Sequence, residues 1–377
     1  MHTTIEALQQ QVSTAIEKQT PLCIRAGGSK DFYGQSFVGD VLDLSGYAGI
    51  VDYEPTELVI TAKAGTPLRT IEAALAANQQ CLGFEPPHFA SEAGADWIAS
   101  DAALADSVAT IGGAIAAGLA GPRRATAGAP RDYLLGVRMI DGRGQDLRFG
   151  GTVMKNVAGY DVSRLMAGSL GILGVLTEVS IKVLPQPLVE VTLHFELDEA
   201  RAIRQLNEWA GQALPLSGSV WHEGVMRVRL SGAPAAIDAA LKKLGGCRVD
   251  PYRASSFWQG IREQTDRYFL QRRDNDSLIR IAVPSTTPPL GLRGTSLMEW
   301  GGAQRWLIGG DLEAARQVAS QAGGHAVRFR GVAGRFMSAL SPAAARIHQN
   351  LKREFDPHHI FNRGRMFADL GQDSYAN

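Results

Sequence analysis

The chain has 377 residues, of which 45% are hydrophobic and 20% are charged. This length exceeds what one hydrophobic core usually holds, so we expect more than one domain. The 38 basic and 38 acidic residues cancel, which removes the electrostatic argument for binding nucleic acid or an anionic membrane surface. We therefore expect no nucleic-acid partner.

The cysteines and the apolar segments indicate in which cellular compartment the protein is found. Cys23, Cys81 and Cys247 lie far apart, in a spacing that fits no metal or redox motif and indicates a reducing environment. The N-terminus lacks the basic start and apolar core of a signal peptide. The longest apolar tract, residues 109–120, is too short to span a bilayer. These features predict a cytoplasmic protein without direct membrane insertion and without its own iron–sulfur cluster.

The first half of the chain predicts alternating helices and strands. Apolar residues recur at helical spacing from Ile5 to Ile16, after Thr3 and Thr4 as candidate caps. Thr66-Pro67 predicts a second helix, with a capping hydroxyl and a proline at the first helical position. Short buried strands are predicted at residues 22–24, 41–44, 58–62, 136–140 and 175–183.

The second half predicts a different arrangement after Pro185 and Pro187. Apolar and polar residues alternate from Val189 to Glu196, which predicts a strand with one buried face. The helices and strands that follow favour an antiparallel sheet with helices on one side. Ser341-Pro342 predicts the start of a last helix. We expect three parts, at residues 1–186, 187–340 and 341–377.

Two glycine-rich loops carry the strongest functional signal. Gly27-Gly28 follows the apolar run 22–24, and Gly112-Gly113 begins a second run that continues through Gly118, Gly121 and Gly128. Glycine allows backbone N–H groups to face a ligand without an intervening side chain, and such groups bind a diphosphate well. Neither loop has the GxGxxG spacing of a Rossmann domain. The loops predict a dinucleotide cofactor other than a nicotinamide.

The same pattern continues through Asp141-Gly142, Phe149-Gly150-Gly151, residues 155–161 and residues 168–178. With the two loops, this order resembles the FAD-binding domain of the vanillyl-alcohol-oxidase superfamily, also called the PCMH type. Residues 85–88, 121–124, 155–161 and 300–307 are similar to the smaller flavoprotein subunits, the E subunits, of bacterial glycolate oxidases. The resemblance spans nearly the whole chain.

The resemblance implies an α+β fold. A PCMH-type FAD-binding domain of two subdomains would precede a cap domain of antiparallel sheet and helices, and the C-terminal helix would return to the FAD domain. FAD would be held mainly by backbone groups, and non-covalently, because Ser29 and Lys30 follow the glycines where some relatives carry a flavin-linking histidine. The implied FAD-binding residues are Ala26, Gly27, Gly28, Ser29, Lys30, Thr110, Gly112, Gly113, Ala114, Gly121, Gly159, Tyr160, Gly168, Ser169, Gly171, Gly174, Val175, Leu176 and Asn362.

Oxidation of a 2-hydroxy acid by a flavin requires a cation for the carboxylate and a base for the hydroxyl proton. Arginine pairs with carboxylates through two parallel hydrogen bonds, so Arg123, Arg124, Arg164 and Arg305 are candidates. Arg305 is preferred, because it lies in the tryptophan-flanked segment 300–306 of the expected cap. Arg123 is the second candidate catalytic residue.

The base is harder to identify. Related 2-hydroxy-acid dehydrogenases carry a histidine-rich metal motif in the cap, and this chain has no comparable cluster, so no metal is expected. His194, His222 and His325 are isolated, and His358-His359 is an adjacent pair in the tail. We interpret each of them as structural. A partner subunit would then be the main site of substrate oxidation.

Two segments depart from the family pattern. Residues 89–108 look longer than the usual connection and predict a short extra helix at 95–105. The tail reads Asn362-Arg363-Gly364-Arg365 where the family has Asn-Pro-Gly-Arg. Proline favours a tight turn, so we expect its loss to loosen the approach of Asn362 and Arg365 to the flavin.

Three functions remain open. The resemblance favours the FAD-binding subunit of a glycolate oxidase, which forms glyoxylate and works with a larger flavoprotein subunit and an iron–sulfur subunit. Such a complex would be cytoplasmic and peripheral to the inner membrane. The alternatives are a self-sufficient FAD-dependent dehydrogenase of glycolate or D-lactate, and a non-catalytic flavin-binding scaffold.

Overall fold

The computed structural model describes residues 3–35, 38–89, 108–152, 160–273, 275–331 and 335–367. Within these ranges, no helix is both long enough and apolar enough to cross a membrane. The predicted extra helix at 95–105 lies outside the described residues. The helices, in chain order, are α1 (Ile5–Lys18), α2 (Leu68–Ala76), α3 (Ile111–Ala117), α4 (Arg124–Ala127), α5 (Pro130–Tyr133), α6 (Val162–Met166), α7 (Glu199–Ala210), α8 (Pro234–Leu244), α9 (Pro251–Glu263), α10 (Arg267–Leu270), α11 (Leu312–Gln321) and α12 (Pro342–Phe355).

The strands form an antiparallel five-stranded sheet, an antiparallel eight-stranded sheet and two small pairs. The five-stranded sheet has the order β3-β4-β8-β6-β7, and the eight-stranded sheet has the order β13-β10-β12-β11-β15-β16-β14-β17. The strands are β1 (Leu22–Arg25), β2 (Asp40–Asp43), β3 (Ile50–Glu54), β4 (Val59–Lys63), β5 (Gln80–Cys81), β6 (Leu134–Ile140), β7 (Asp146–Gly150), β8 (Val175–Lys182), β9 (Leu184–Pro185), β10 (Val189–Glu196), β11 (Leu216–His222), β12 (Val225–Gly232), β13 (Cys247–Arg248), β14 (Leu278–Ala282), β15 (Thr295–Glu299), β16 (Gln304–Ile308) and β17 (His325–Arg330).

The α+β fold expected from the resemblance is confirmed. The predicted strands 58–62, 136–140 and 175–183 correspond to β4, β6 and β8, which occupy the middle of the five-stranded sheet. The edge strands β3 and β7 were not predicted. Their side chains are largely exposed, so they lack the buried apolar run by which the sequence marks the central strands.

The helix caps follow the sequence at two of three predicted positions. The hydroxyls of Thr4 and Ser341 accept hydrogen bonds from the first turns of α1 and α12. Thr66 does not cap α2, and that prediction was wrong. Its hydroxyl donates to the carbonyl of Lys63 at 2.6 Å and accepts from Gly49 N–H at 2.9 Å, so it closes a turn instead.

An aromatic cluster packs the eight-stranded sheet against loops from the first part of the chain. Trp306 and Phe329 come from strands of the eight-stranded sheet, and Phe336 follows β17. These rings contact Tyr33 directly or through one another, with ring centroids 4.9 Å apart for Tyr33 and Phe336 and 4.8 Å for Trp306 and Phe329. Leu170 belongs to the same buried cluster. Burial of these large rings holds the eight-stranded sheet over the first part of the chain.

Charged contacts reinforce this interface. Glu85 lies 3.1 Å from Arg123 Nε and 2.9 Å from Arg229 Nη2, and Glu190 also pairs with Arg123. Arg229 and Glu190 belong to strands of the eight-stranded sheet. Trp300 Nε1 donates to the Gly121 carbonyl at 3.2 Å. The segment that begins at Gly121 therefore docks onto the eight-stranded sheet.

The interface ion pairs predict a stability effect. We expect Glu85→Gln to lower the free energy of unfolding by about 3 kcal/mol, because it leaves poorly exposed guanidinium groups without their shared carboxylate. In contrast, Arg267 and Glu223 form an exposed pair, and Arg267→Met should change stability by less than about 0.5 kcal/mol. Urea denaturation measures the free energy of unfolding of both variants and of the unmodified chain. Equal, small effects would show that the Glu85 pairs contribute little.

Candidate functional site

The two glycine loops both line one cleft of about 800 Å³, which is partly open to solvent. The remaining walls come from the segment after α6 and from the C-terminal tail. Of the residues predicted to bind the cofactor, those that line this glycine-loop cleft are Ala26, Gly27, Gly28, Ser29, Lys30, Thr110, Gly112, Gly113, Gly171, Gly174, Leu176 and Asn362. Segments distant in sequence therefore meet around a single space.

The glycines of the cleft serve two different purposes. A Cβ on Gly27 would lie 1.5 Å from the carbonyl oxygen of Val108, and one on Gly112 would lie 2.5 Å from Ala64 Cβ. Both glycines thus permit close backbone packing. A Cβ on Gly113 would meet only Thr110 Oγ1, at 3.2 Å. Gly113 therefore keeps the cleft wall open for a ligand.

The C-terminal tail fixes two walls of the cleft. Asn362 accepts from Ile24 N–H at 2.8 Å and donates to the Leu170 carbonyl at 2.7 Å. Arg365 donates to the carbonyls of Lys30 and Asp31 at 3.1 and 2.9 Å. A hydrogen bond of 3.1 Å from Arg365 N–H to the Asn362 carbonyl closes the turn. Asn362 and Arg365 therefore reach the cleft although no proline precedes Gly364.

Lys30 brings a positive charge to the cleft. Its Nζ donates to Ser29 Oγ at 3.1 Å and lies 5.7 Å from the centre of the Phe89 ring. Burial lowers the pKa of Lys30 to about 8, against the opposing influence of Glu263. Lys30 is therefore still largely protonated at neutral pH. An anionic group in the cleft would stabilise the charged form.

Three predicted cofactor residues support the cleft without lining it. The side chains of Ala114 and Val175 are fully buried in the hydrophobic core. Ser169 Oγ accepts a hydrogen bond of 3.4 Å from Gly171 N–H, which helps to hold the loop that does line the cleft. Backbone contact by Ala114 and Val175 would require a cofactor to displace that core packing.

Other predicted cofactor residues lie elsewhere. Gly121 docks on Trp300, as described above, and the Tyr160 side chain is 99% exposed. Gly159 lies outside the described residues. Gly168 lines a second cavity of about 740 Å³, which adjoins the first cleft through their common residues Ala117 and Leu170. Its walls also carry Tyr33, Arg124, Arg131, Arg280 and His325.

The preferred substrate cation, Arg305, is committed to protein contacts. Its guanidinium donates to Glu199 at 2.8 Å and to the carbonyls of Gly302 and Thr287 at 2.8 and 2.9 Å. Its exposed fraction is 2%, and it lines neither cavity described above. A charge that is already paired and buried has little left to offer a substrate carboxylate. The structure thus gives Arg305 a structural position, and our preference for it is withdrawn.

Arg123 is engaged in the same manner, through Glu85 and Glu190 at the interface, and is also withdrawn as a catalytic candidate. Arg164 forms a partly exposed pair with Asp161 at 3.0 Å. Arg124 is the one of the four candidates that lines the second cavity. Sequence reasoning missed Arg280 entirely, because its position in β14 carries no motif.

The histidines also differ in whether they support the fold or line a cavity. The Nδ1 atom of His222 lies 2.9 Å from the Ser296 carbonyl, which suits the structural interpretation. His325 instead lines the second cavity, and burial together with Arg280 lowers its pKa. Within the described ranges, no group of three or more histidine, cysteine or acidic side chains is arranged to hold a metal ion.

Comparisons with known proteins agree with the geometry. The family described as FAD binding domain matches residues 2–95. Glycolate oxidase subunit GlcE of Escherichia coli (strain K12) is 46% identical over 97% of this chain and 98% of that protein. Glycolate oxidase subunit GlcD of Bacillus subtilis (strain 168) is 42% identical, over 23% of this chain and 18% of its own.

The fold itself is shared with p-cresol methylhydroxylase, at a TM-score of 0.65 and 14% identity, over 96% of this chain and 87% of that one. FAD is the cofactor indicated by the family match and by the flavoprotein relatives. Identity of this level over almost the full length of both proteins establishes a close relationship. The chain belongs to the GlcE family of glycolate oxidase subunits.

Proposed function

We propose that this chain binds FAD non-covalently in the glycine-loop cleft and takes part in the oxidation of glycolate to glyoxylate as one subunit of a glycolate oxidase. The observation that carries the proposal is the junction of two spaces. A cleft walled by glycine loops, suited to a diphosphate, adjoins a second cavity lined by guanidinium groups, suited to a carboxylate.

The cleft residues would act chiefly through their backbones. Gly113 and the loop at Gly27-Gly28 contribute glycine backbone to the lining of the cleft. Lys30 would add a charge that complements the diphosphate. When bound, FAD supplies the acceptor for the hydride of a 2-hydroxy acid. The residues of this chain would orient the reactants.

The complex and its location belong to the same proposal. The relative from Escherichia coli is named a subunit, which supports a partner of the GlcD type. Among the described residues, Cys23 is buried, Cys81 is half-buried and Cys247 is exposed, and no metal-binding group includes them. We therefore assign onward electron transfer to an iron–sulfur subunit, in a cytoplasmic complex peripheral to the inner membrane.

We also propose a domain boundary near residue 186. The five-stranded sheet ends with β8 at Lys182, and the eight-stranded sheet starts with β10 at Val189. The region 187–340 would then be the cap, and 341–377 the tail that returns to the flavin domain. The contacts of Asn362 with Ile24 and Leu170 support this return.

The central test is the absorbance spectrum of the purified chain, followed by anaerobic addition of glycolate. We expect a flavin spectrum that is bleached by glycolate. The second cavity favours oxidation of the substrate by this chain itself. If the isolated chain also turns over glycolate or D-lactate with an artificial dye, it is a self-sufficient dehydrogenase. Flavin that stays oxidised until the GlcD-type partner is added would assign the oxidation to the partner. A chain that takes up no FAD would overturn the proposal.

The two glycine roles predict a contrast between neighbouring variants. Gly113→Ala should fold normally but weaken FAD binding about tenfold, since its methyl group would occupy space at the cleft wall, and overpacking of this kind costs about 1–3 kcal/mol. Gly112→Ala should mainly reduce the melting temperature, because its methyl group would collide with Ala64. Flavin titration and thermal melts separate the effects. Normal FAD affinity in Gly113→Ala would place the cofactor elsewhere.

Lys30 predicts a pH dependence of FAD affinity. In the FAD-free protein, Lys30 carries its charge below its pKa of about 8 and loses it as the pH rises. Because the charged amine favours the anionic cofactor, affinity should fall about tenfold from pH 7 to pH 9.5. Lys30→Met should abolish most of this dependence. Lys63→Met, which alters a lysine on the Tyr47 ring, should leave the dependence intact; an unchanged pH profile in Lys30→Met would refute the assignment.

A further inference from the structure

Arg280 occupies an unusual position in the second cavity. It extends from β14, and its Nη2 donates to the Tyr33 hydroxyl at 2.8 Å. Its guanidinium carbon lies 5.6 Å from the centre of the Tyr33 ring and 5.5 Å from that of the Phe329 ring. Within the described residues, no carboxylate lies within 4.0 Å of it. Arg280 is thus held in place by aromatic groups while its charge is left unneutralised.

Arg124 is the second such cation. Its guanidinium carbon lies 4.5 Å from the centre of the Trp300 ring, and its side chain is partly buried. Burial, followed by the positive charges of Arg280 and Arg131, lowers the pKa of Arg124. The like charges are therefore close enough to repel each other. Among the described residues, Arg124 also has no carboxylate at ion-pair distance.

The buried arginines elsewhere show how this protein usually treats such charges. Arg305 is paired with Glu199, and Arg229 with Glu85. Bringing two partly buried guanidinium groups together without an acid at ion-pair distance, with only the more distant Asp132 opposing the repulsion at Arg124, raises the free energy of the folded protein. An anionic ligand that bound between them would remove that penalty. Residues that are poorly compensated in the folded protein in this way are typical of binding sites.

We propose that the second cavity binds the carboxylate of a small 2-hydroxy or 2-oxo acid, with Arg280 and Arg124 as its cations. This inference rests on the proposed function and deepens it by naming the residues that select the substrate. Arg280 would supply the principal contact, because Tyr33 and Phe329 already fix its orientation and little side-chain entropy remains to be lost on binding. Arg124 would add the second charge.

The remaining walls favour a small acid. Val327, Phe336 and Met337 form an apolar part of the lining, where a second charged group of a long acid would be poorly solvated. Ala117 and Leu170 belong to both cavities. A small acid held by the arginines would therefore lie beside the glycine-loop cleft, where FAD is proposed to bind.

Calorimetric titration with oxalate tests the site independently of turnover, because oxalate offers two adjacent carboxylates on a short carbon skeleton but no hydrogen on carbon to be transferred. The full-length flavin-loaded chain and its Arg280→Met and Arg124→Met variants are compared. We expect each variant to weaken oxalate binding about 10- to 100-fold, the range for loss of a hydrogen bond to a charged group. Arg280→Lys should recover part of the affinity, since it keeps the charge and loses only the bidentate geometry.

Arg227 offers a matched control. It also lies in the eight-stranded sheet, with its guanidinium carbon 4.6 Å from the centre of the Phe257 ring, but it does not line the second cavity. Arg227→Met should bind oxalate like the unmodified chain. Melting temperature and flavin content, measured for all variants, identify any that fail to fold. The assignment would be overturned if Arg227→Met and Arg280→Met lost oxalate affinity equally, or if Arg280→Met kept the oxalate affinity of the unmodified chain.

Two further results separate this inference from the proposed function. Arginine-dependent oxalate binding without bleaching by glycolate would support the carboxylate site while refuting substrate oxidation by this chain. If Arg280→Met is bleached by glycolate at the same glycolate concentration as the unmodified chain, substrate oxidation by this chain would be supported and the carboxylate site refuted. Inorganic phosphate serves as the comparison anion. Phosphate binding as tight as that of oxalate would overturn the assignment of the cavity to carboxylates.

Discussion

The site depends on a buried ion pair in the C-terminal tail. Lys352 Nζ donates to Asp356 at 2.6 Å and to the carbonyls of Ile172 and Phe361 at 2.7 and 3.0 Å. A charge this deeply buried is tolerated only with a full set of partners, so the tail has one favourable position. Asn362 follows directly and contacts two walls of the cleft. Without this pair, the cleft would lose the contact that joins its separate walls.

The arginines reveal a division between structure and function. Those paired with buried or half-buried acids, such as Arg123, Arg229 and Arg305, join elements of the fold. Arg124 and Arg280 rest on aromatic rings instead. The first group lowers the free energy of the folded protein only as long as its acids remain, whereas the second group can be satisfied by a ligand. Residue type alone does not separate these roles.

Sequence reasoning identified the central elements and the glycine loops because both leave a local pattern. Buried strands such as β8 are rich in β-branched and other apolar residues, and glycine pairs mark close backbone approach. The edge strand β7, whose side chains are mostly exposed or half-buried, carries no comparable pattern. The preference for Arg305 rested on its neighbouring tryptophans, which suggested a pocket, whereas its partner Glu199 is distant in sequence and left no local signal.

The sequence by itself determined the glycine loops and through them a dinucleotide cofactor, because backbone access is a local property, and its resemblance to a known family implied the α+β class and FAD. Only the tertiary structure decided which charges are neutralised. Ion pairing depends on distances of a few ångströms between side chains far apart in the chain, such as Arg305 and Glu199. The cofactor could therefore be predicted from motifs, whereas the candidate substrate residues emerged only when the folded protein showed which arginines lack an acid.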